Sequence, residues 1–306
     1  MVKERLGAAG VRDEPATASE LSDPDLPVDV LRTPSDLALV RERSRDRRMI
    51  EQHLCETLAG RESWTVQGVC KVCSRAAAFE GDWRHSSGSR PNFREQLVCP
   101  HCKLNNRMRF MAHLLTVAAR SDPPPAPIYL YEQVTPFFLW AQRALPVTVI
   151  GSEYLGPDVP GGTTVRDLRH EDALALSFDD ASLDALVSND VFEHVPDIDR
   201  CLAEAARVLG SGGRLYFSIP FYDREESVQR AALRDGEIVE LLPATYHRNP
   251  IDPKKGSLVF YEHGWDILER CRRAGFADAY GLGYWSLLYG HLGNGLQLIF
   301  VAKTSA

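Results

Sequence analysis

The sequence predicts an α/β protein in two parts: a mostly parallel sheet covered by helices on both faces over residues 127–306, and ahead of it a small module organised by cysteines. Three observations lead there. Beyond Pro127, short apolar runs alternate with amphipathic stretches, the pattern of strands alternating with helices. Residues 61–103 lack helical periodicity but carry two Cys-x2-Cys pairs, Cys70/Cys73 and Cys99/Cys102. A length of 306 residues, 44% hydrophobic and 25% charged, is enough chain for two ordinary globular units.

Residues 1–34 are rich in Asp, Glu, Pro, Ala and Ser with scattered apolar positions, and are expected to form a disordered tail. After Thr33-Pro34-Ser35, apolar side chains recur at Leu37, Val40, Ile50, Leu54 and Leu58, which predicts one long amphipathic helix over residues 35–60 closed by Gly60. Residues 61–126 hold the cysteine module and a linking helix from Asn105 to Arg120, with Met108, Met111, Leu114, Leu115 and Ala118 on one side. Ser121-Asp122-Pro123-Pro124-Pro125 reads as a stiff linker. Strands then follow at Ile128–Glu132, Val147–Gly151, Leu183–Ser188, Arg214–Ile219 and Leu296–Ala302, with helices from Thr135, over Asp197–Leu209 and over Trp265–Ala274. The Asp197 helix is the best defined: Ile198, Leu202, Ala205, Val208 and Leu209 line one side and Gly210 ends it.

The net charge of −7 argues against nucleic-acid binding by the whole chain, yet it is unevenly spread. Residues 61–126 carry 10 basic and 5 acidic side chains, and residues 127–306 carry 16 basic and 25 acidic, so a small basic module precedes an acidic one. No apolar run has secretory or membrane-spanning length, which points to a cytoplasmic chain with no membrane partner. In that setting Cys70, Cys73, Cys99 and Cys102, two pairs 25 residues apart, imply two thiolate knuckles closing a tetrahedral zinc site. Four thiolates leave no open coordination position, so this zinc is structural. Cys55, Cys201 and Cys271 sit among apolar neighbours as packing residues. Asn105, Asn106, Arg107 and Arg109, at the start of the next helix, read either as a site for an anionic group or as a solvated basic helix end.

In an open parallel sheet, ligands sit beyond the carboxyl ends of the strands, so the residues after each strand carry the functional reading. The first strand ends at Glu132, and Glu153 follows the second strand 21 residues later, close to the ~20-residue spacing at which an acidic side chain meets ribose hydroxyls. Asp172 comes 19 residues after that. The runs from Glu171 to Asp184, from Ser188 to Asp197 (Ser-Asn-Asp-Val-Phe-Glu-His-Val-Pro-Asp) and from Arg207 to Leu215 resemble those of class I, type-11-like S-adenosylmethionine-dependent methyltransferases, with a doubly wound, Rossmann-like sheet.

The resemblance covers nearly the whole of residues 127–303, and the zinc module is an addition ahead of it. It implies S-adenosylmethionine as cofactor, with Glu153 at the ribose, Asp172 and Ala173 at the adenine and Asn189 next to the methionine portion; Glu132, Thr135, Tyr154 and Asp190 are further expected cofactor-binding residues. One departure stands out. Where the family has a glycine-rich first loop, this chain reads Glu132-Gln133-Val134-Thr135-Pro136, without glycine. Thr135-Pro136 is a good helix start, so a hydroxyl or free amides are expected to replace the glycine loop.

Methyl transfer to a hydroxyl or ammonium group also needs a proton acceptor. His194, after the fourth strand, and His247, in the long insert before the Trp265 helix, are the candidates, with Tyr222 as a wall of the acceptor pocket; Tyr284, Trp285 and Tyr289 read as a further aromatic wall or as core. The sequence thus predicts a methyltransferase acting on an O or N atom of a small-molecule or glycan-linked acceptor. The alternatives are an RNA methyltransferase gripping its substrate through the basic module, another chemistry of the same cofactor, and a catalytically silent binding protein.

Overall fold

The computed structural model of the chain describes residues 16–86, 88–121 and 126–306. Residues 1–15 of the expected tail and the Asp122–Pro125 linker lie outside the described residues. Helix α1 (Ala16–Leu21) and strand β1 (Val28–Leu31) open the fold, followed by α2 (Pro34–Arg43), α3 (Arg45–Leu58), the hairpin β2 (Ser63–Cys70) and β3 (Arg75–Asp82), and α4 (Asn106–Ser121). Next come β4 (Ile128–Leu130), α5 (Pro136–Ala144), β5 (Val149–Gly151), the short pair β6 (Thr164–Val165) and β7 (Leu168–Arg169), β8 (Leu183–Asn189), α6 (Ile198–Val208) and β9 (Leu209–Ser218). An insert of short strands, β10 (Val228–Gln229), β11 (Ala231–Arg234), β12 (Glu237–Glu240), β13 (Tyr246–His247), β14 (Ser257–Leu258) and β15 (Tyr261–Glu262), precedes α7 (Asp266–Arg273), β16 (Asp278–Tyr284) and β17 (Gln297–Lys303).

Seven strands form the central sheet in the order β5-β4-β8-β9-β17-β16-β1. The pairs β5/β4, β4/β8 and β8/β9 are parallel, and β9/β17, β17/β16 and β16/β1 are antiparallel. The chain runs from β4 outward to β5 and then returns to β8 on the other side of β4, so the β4/β8 boundary is the switch point of a doubly wound sheet. Side chains alternate between two cores. Tyr129, Leu186, Leu215, Phe217 and Phe300 meet α2, α6 and α7 on one face. Ile128, Leu130, Val187, Tyr216 and Ile299 meet α4 and α5 on the other.

Three expectations need correction. Residues 16–34 are not a tail: Leu21, Leu26 and Leu31 are at most 1% exposed, and β1 hydrogen-bonds along the edge of β16. Burial of three leucines plus an edge ladder offsets the entropy that the polar composition alone could not. The single helix over 35–60 is two helices, because Ser44 leaves helical geometry at φ −111, ψ 24, while Thr33 and Asp36 close a capping box at the first of them. Helix α4, grouped with the cysteine module from its position in the chain, instead covers the sheet through Phe110, Met111 and Leu114.

The cysteine module has its own small core, Trp64, Val66, Phe79, Phe93 and Leu97, completed by Trp285 and Leu292 from the β16–β17 connection. Val69 donates its amide to the Leu288 carbonyl at 2.8 Å, and a Cβ on Gly68 would stand 2.3 Å from that carbonyl oxygen and 2.9 Å from Phe79. Gly68→Ala is therefore expected to lower stability by about 1–3 kcal/mol in urea unfolding, because the obstacle is backbone and cannot rotate away. Wild-type stability in that variant would show that the module does not seat on the Leu288 loop.

Candidate functional site

The β2–β3 turn brings Cys70 and Cys73 to one side of a four-cysteine cluster, and the Cys99–Cys102 knuckle, which leads into α4, supplies the other. Cys70 Sγ lies 3.9 Å from Cys102 Sγ, Cys73 Sγ lies 3.9 Å from Cys99 Sγ, and all four ligand atoms fall within 4.8 Å of one another. A tetrahedral ion with Zn–S bonds near 2.3 Å places its sulfurs about 3.8 Å apart, so the four thiols fit a zinc ion with no fifth group needed. The Cys102 hydrogen bond, against desolvation, brings the Cys70 thiol down to about 5, whereas burial and the neighbouring thiols push Cys73 up to about 11. Without a cation the set resists full ionisation.

At the switch point, Asn189 at the end of β8 donates from Nδ2 to Glu132 Oε1 at 2.5 Å, and its Oδ1 is buried without a partner. Glu132 is buried, and burial raises its pKa against the hydrogen bonds from Thr135 and Asn189. Glu153, just past β5, accepts the amides of Gln133 (2.8 Å) and Val134 (3.0 Å) on Oε1, while no hydrogen bond engages Oε2. Desolvation raises its pKa too. The glycine-free loop thus turns its free amides on Glu153. The Gln133 side chain ties the loop to the β6–β7 hairpin through the Asp167 carbonyl and the Arg169 amide, and Thr135 caps α5 by accepting from Phe138 N at 3.2 Å. Phe137 points away into the core beside Trp140.

Asp172 receives the Leu174 amide on Oδ1 at 2.9 Å and leaves Oδ2 uncommitted, with Ala173 half-buried beside it. Tyr154 is 56% exposed, lies 5.4 Å ring to ring from His170, and is close enough to Asp172 for the carboxylate to raise its pKa, second to burial. Glu132, Glu153, Tyr154, Asp172, Ala173 and Asn189 therefore share one edge of the sheet.

Asp190 does not join them. It sits at φ 54 and receives Arg94 through both oxygens at 2.6 and 2.7 Å, Arg107 at 3.1 Å and the Ser218 hydroxyl at 2.8 Å. Both of its oxygens are committed to joining the cysteine module and α4 to the sheet, which corrects its expected place at the cofactor. Arg94, the partner that makes this clamp, carries no motif in the sequence and lies 96 residues away.

The anion site expected at the start of α4 is corrected in the same way. Arg107 pairs with Glu95 and Asp190, and Asn105 donates to Glu95 at 3.1 Å. Arg109 donates to the Tyr289 and Gly290 carbonyls at 2.5 and 2.7 Å beneath Phe79, and Asn106 bonds the Phe93 and Leu292 carbonyls and His291. Tyr284 stacks on Phe110 at 3.5 Å and Trp285 lies in the module core, so neither forms a pocket wall.

The structure does bring His194 and His247 together. Their rings are 5.0 Å apart, His194 in the short helical turn Phe192–His194 and His247 on β13. Between them lies Glu193, 1% exposed, with both carboxylate oxygens lacking a hydrogen-bond partner. Sequence reasoning passed over Glu193, whose only signal was its place before His194. The contact with Glu193, against desolvation, raises the His247 pKa. Tyr222, 40% exposed, lies near enough for Glu193 to act on its pKa, which burial raises first.

Comparison with known proteins bears on this edge of the sheet. Residues 155–217 match the methyltransferase domain family model. A stretch of 54 residues is 48% identical to arsenite methyltransferase of Aquipseudomonas alcaligenes, covering 18% of this chain and 16% of that relative's length. Among solved structures, an S-adenosylmethionine-dependent methyltransferase from Mesorhizobium loti aligns with 17% identity over 58% of this chain and 90% of its own, at a TM-score of 0.38. Phosphoethanolamine N-methyltransferase 2 of Haemonchus contortus, solved with S-adenosyl-L-methionine, aligns with 12% identity over 63% of this chain and 52% of its own, at 0.36. Residues 155–217 are thus similar to part of a methyltransferase domain, and they lie in a doubly wound sheet with a cysteine module beside it. No helix among the described residues is long and apolar enough to cross a membrane.

Proposed function

We propose that the chain is an S-adenosylmethionine-dependent methyltransferase acting on an O or N atom of a small-molecule or glycan-linked acceptor. The observation that carries this is the set of uncommitted acceptors at the switch point: Glu153 Oε2, Asp172 Oδ2 and the buried, orphaned Asn189 Oδ1, beyond the ends of successive strands. Such an array suits the donors of one adenosine and its methionine amino group, and a buried amide oxygen without a partner is costly unless something fills it. S-adenosylmethionine supplies a methyl group made electrophilic by its sulfonium. The chain's own residues do the rest. Glu153 accepts from the ribose hydroxyls, Asp172 from the adenine amino group with Tyr154 and Ala173 alongside, and Glu132 holds Asn189 in place. On the acceptor side, the cluster of Glu193, His194 and His247, roofed by the insert, holds the acceptor and takes up its proton.

A small acceptor is favoured over RNA because the basic groups around the expected anion site at the start of α4 are engaged internally: Arg94, Arg107 and Arg109 as described, with Lys71 paired to Asp23, while Arg61, Arg75, Arg84, Arg90, Lys103 and Arg120 stay exposed. Calorimetry with S-adenosylmethionine should give one binding event, weakened about 10- to 100-fold in Asp172→Ala and in Glu153→Gln, the loss expected for one hydrogen bond to a charged group. Absence of heat with the wild-type chain, or wild-type affinity in both variants, would refute the reading.

A further inference from the structure

We infer that Glu193, His194 and His247 form a second metal site, binding one divalent transition ion of zinc-like preference whose free coordination positions open to solvent beside His247. The site is separate from the four cysteines and has a different donor set. His194 Nδ1 lies 2.8 Å from the Leu258 carbonyl, which only accepts, so Nδ1 carries the proton and Nε2 presents a lone pair. That lone pair faces Glu193 Oε1 at 3.6 Å, and His247 Nδ1 faces the same oxygen at 3.5 Å. Two acceptors opposed at 3.6 Å repel, and the distance is too long for a shared proton. It is the separation of two ligands on one cation: bonds of about 2.1 Å at a tetrahedral angle span about 3.4 Å.

The support around the cluster is that of a metal ligand set. A ligating histidine ordinarily donates its second ring nitrogen to a carbonyl or carboxylate, as His194 does to Leu258. Leu258 belongs to β14, the strand paired with the β13 strand that carries His247, so one hairpin orients both imidazoles. The Glu193 backbone is fixed by the Phe260 amide, donated to its carbonyl at 2.7 Å. Its carboxylate, 1% exposed with neither oxygen hydrogen-bonded, has the two imidazoles within ion-pair distance, and a cation between them would satisfy it. Two imidazoles and one carboxylate suit zinc, cobalt, manganese or iron over magnesium or calcium, and three protein ligands leave room for an exogenous one. His247 is 39% exposed, so that room reaches solvent.

On the proposed methyltransferase reading, the exogenous ligand is the acceptor itself, which narrows its class to molecules that bind a cation through oxygen or nitrogen. With an ion bound, the histidines would no longer take up the proton themselves: they would hold the ion, which would lower the pKa of the bound acceptor so that its proton passes to solvent.

The test uses the full chain with its cysteine site filled by zinc, titrated with Co2+. The wild type is expected to take up one equivalent with weak visible bands and no thiolate-to-cobalt charge-transfer absorption, which separates this site from the cysteines. His247→Ala, on a half-exposed hairpin, and the isosteric Glu193→Gln should each lose more than the about 10- to 100-fold in affinity that a supporting group is worth. No cobalt uptake by the wild type, or unchanged affinity in His247→Ala, overturns the site. Calorimetry with S-adenosylmethionine on the same samples keeps the two readings apart. Cofactor heat without cobalt uptake sinks the metal site alone, and cobalt uptake without cofactor heat supports the site and removes the methyl-transfer role.

Discussion

Replacing Cys99 by serine should remove one zinc per chain and unfold residues 61–103 while leaving the sheet folded. The module's own core is a handful of side chains, Trp64, Val66, Phe79, Phe93 and Leu97, with Cys70 and Cys99 among its buried members. So small a cluster cannot by itself offset the entropy of ordering about 40 residues, of which only the β2–β3 hairpin has regular secondary structure. Structural zinc contributes on the order of 10–16 kcal/mol in comparable sites, more than a module of this size holds in reserve. The expected readouts are a loss of one zinc per chain by elemental analysis in Cys99→Ser relative to the wild type, with hydrogen exchange accelerating in β2 and β3 and staying slow in β8 and β9. Cys55→Ser, outside the metal centre, should keep both the zinc and the protection. Full zinc content and slow exchange in Cys99→Ser would mean that the cysteines hold nothing.

The cysteine cluster and the central strands were legible because each depends on a local pattern. Cys-x2-Cys spacing survives any fold, and Leu-Asp-Ala-Leu-Val-Ser-Asn or Leu-Tyr-Phe-Ser-Ile reads as a buried strand wherever it lies. Strand β16, Asp-Ala-Tyr-Gly-Leu-Gly-Tyr, did not: two glycines mask it, and it is strand only because β17 and β1 flank it. Residues 16–34 failed for the same reason, since three leucines among prolines and acids count for little until a sheet edge is available to receive them.

At the candidate site, residue types were readable where carboxylates follow strands, as at Glu153 and Asp172, but their commitments were not. Nothing local tells that Asp190 belongs to Arg94 and Arg107, or that Arg109 reaches the Tyr289 and Gly290 carbonyls. Long-range pairing of charges is a property of the packed chain, and it converted Arg94, Arg107 and Arg109 from an apparent anion site into internal clamps.

That clamp sets the second large effect: Asp190→Asn is expected to destabilise the chain by about 3–5 kcal/mol, the usual cost of removing one partner from a buried ion cluster. The side chains of Arg94, Arg107 and Asp190 are 20%, 9% and 16% exposed, so the small values typical of surface pairs do not apply. Asparagine keeps the shape and tolerates the left-handed backbone at φ 54, so the substitution isolates the charge. It leaves two guanidinium groups sharing Glu95 alone.

The pH dependence follows from the sign of the shift. Burial by itself raises the Asp190 pKa, but Arg107 and Arg94 outweigh it and hold the carboxyl well below its ordinary 3.8. The stabilisation is then fully present above that ordinary value and is lost as pH falls from it through the lower folded value. Urea unfolding should therefore show a constant difference between wild type and Asp190→Asn from neutral pH down to about 5, closing only in stronger acid. A double-mutant cycle with Arg94→Met should return a coupling of at least about 1 kcal/mol, as for residues in one buried network. A difference under about 1 kcal/mol at neutral pH, or a coupling near zero, would mean that the apolar contacts of α4 and the Leu288 loop dock the module and that the charges only decorate the seam.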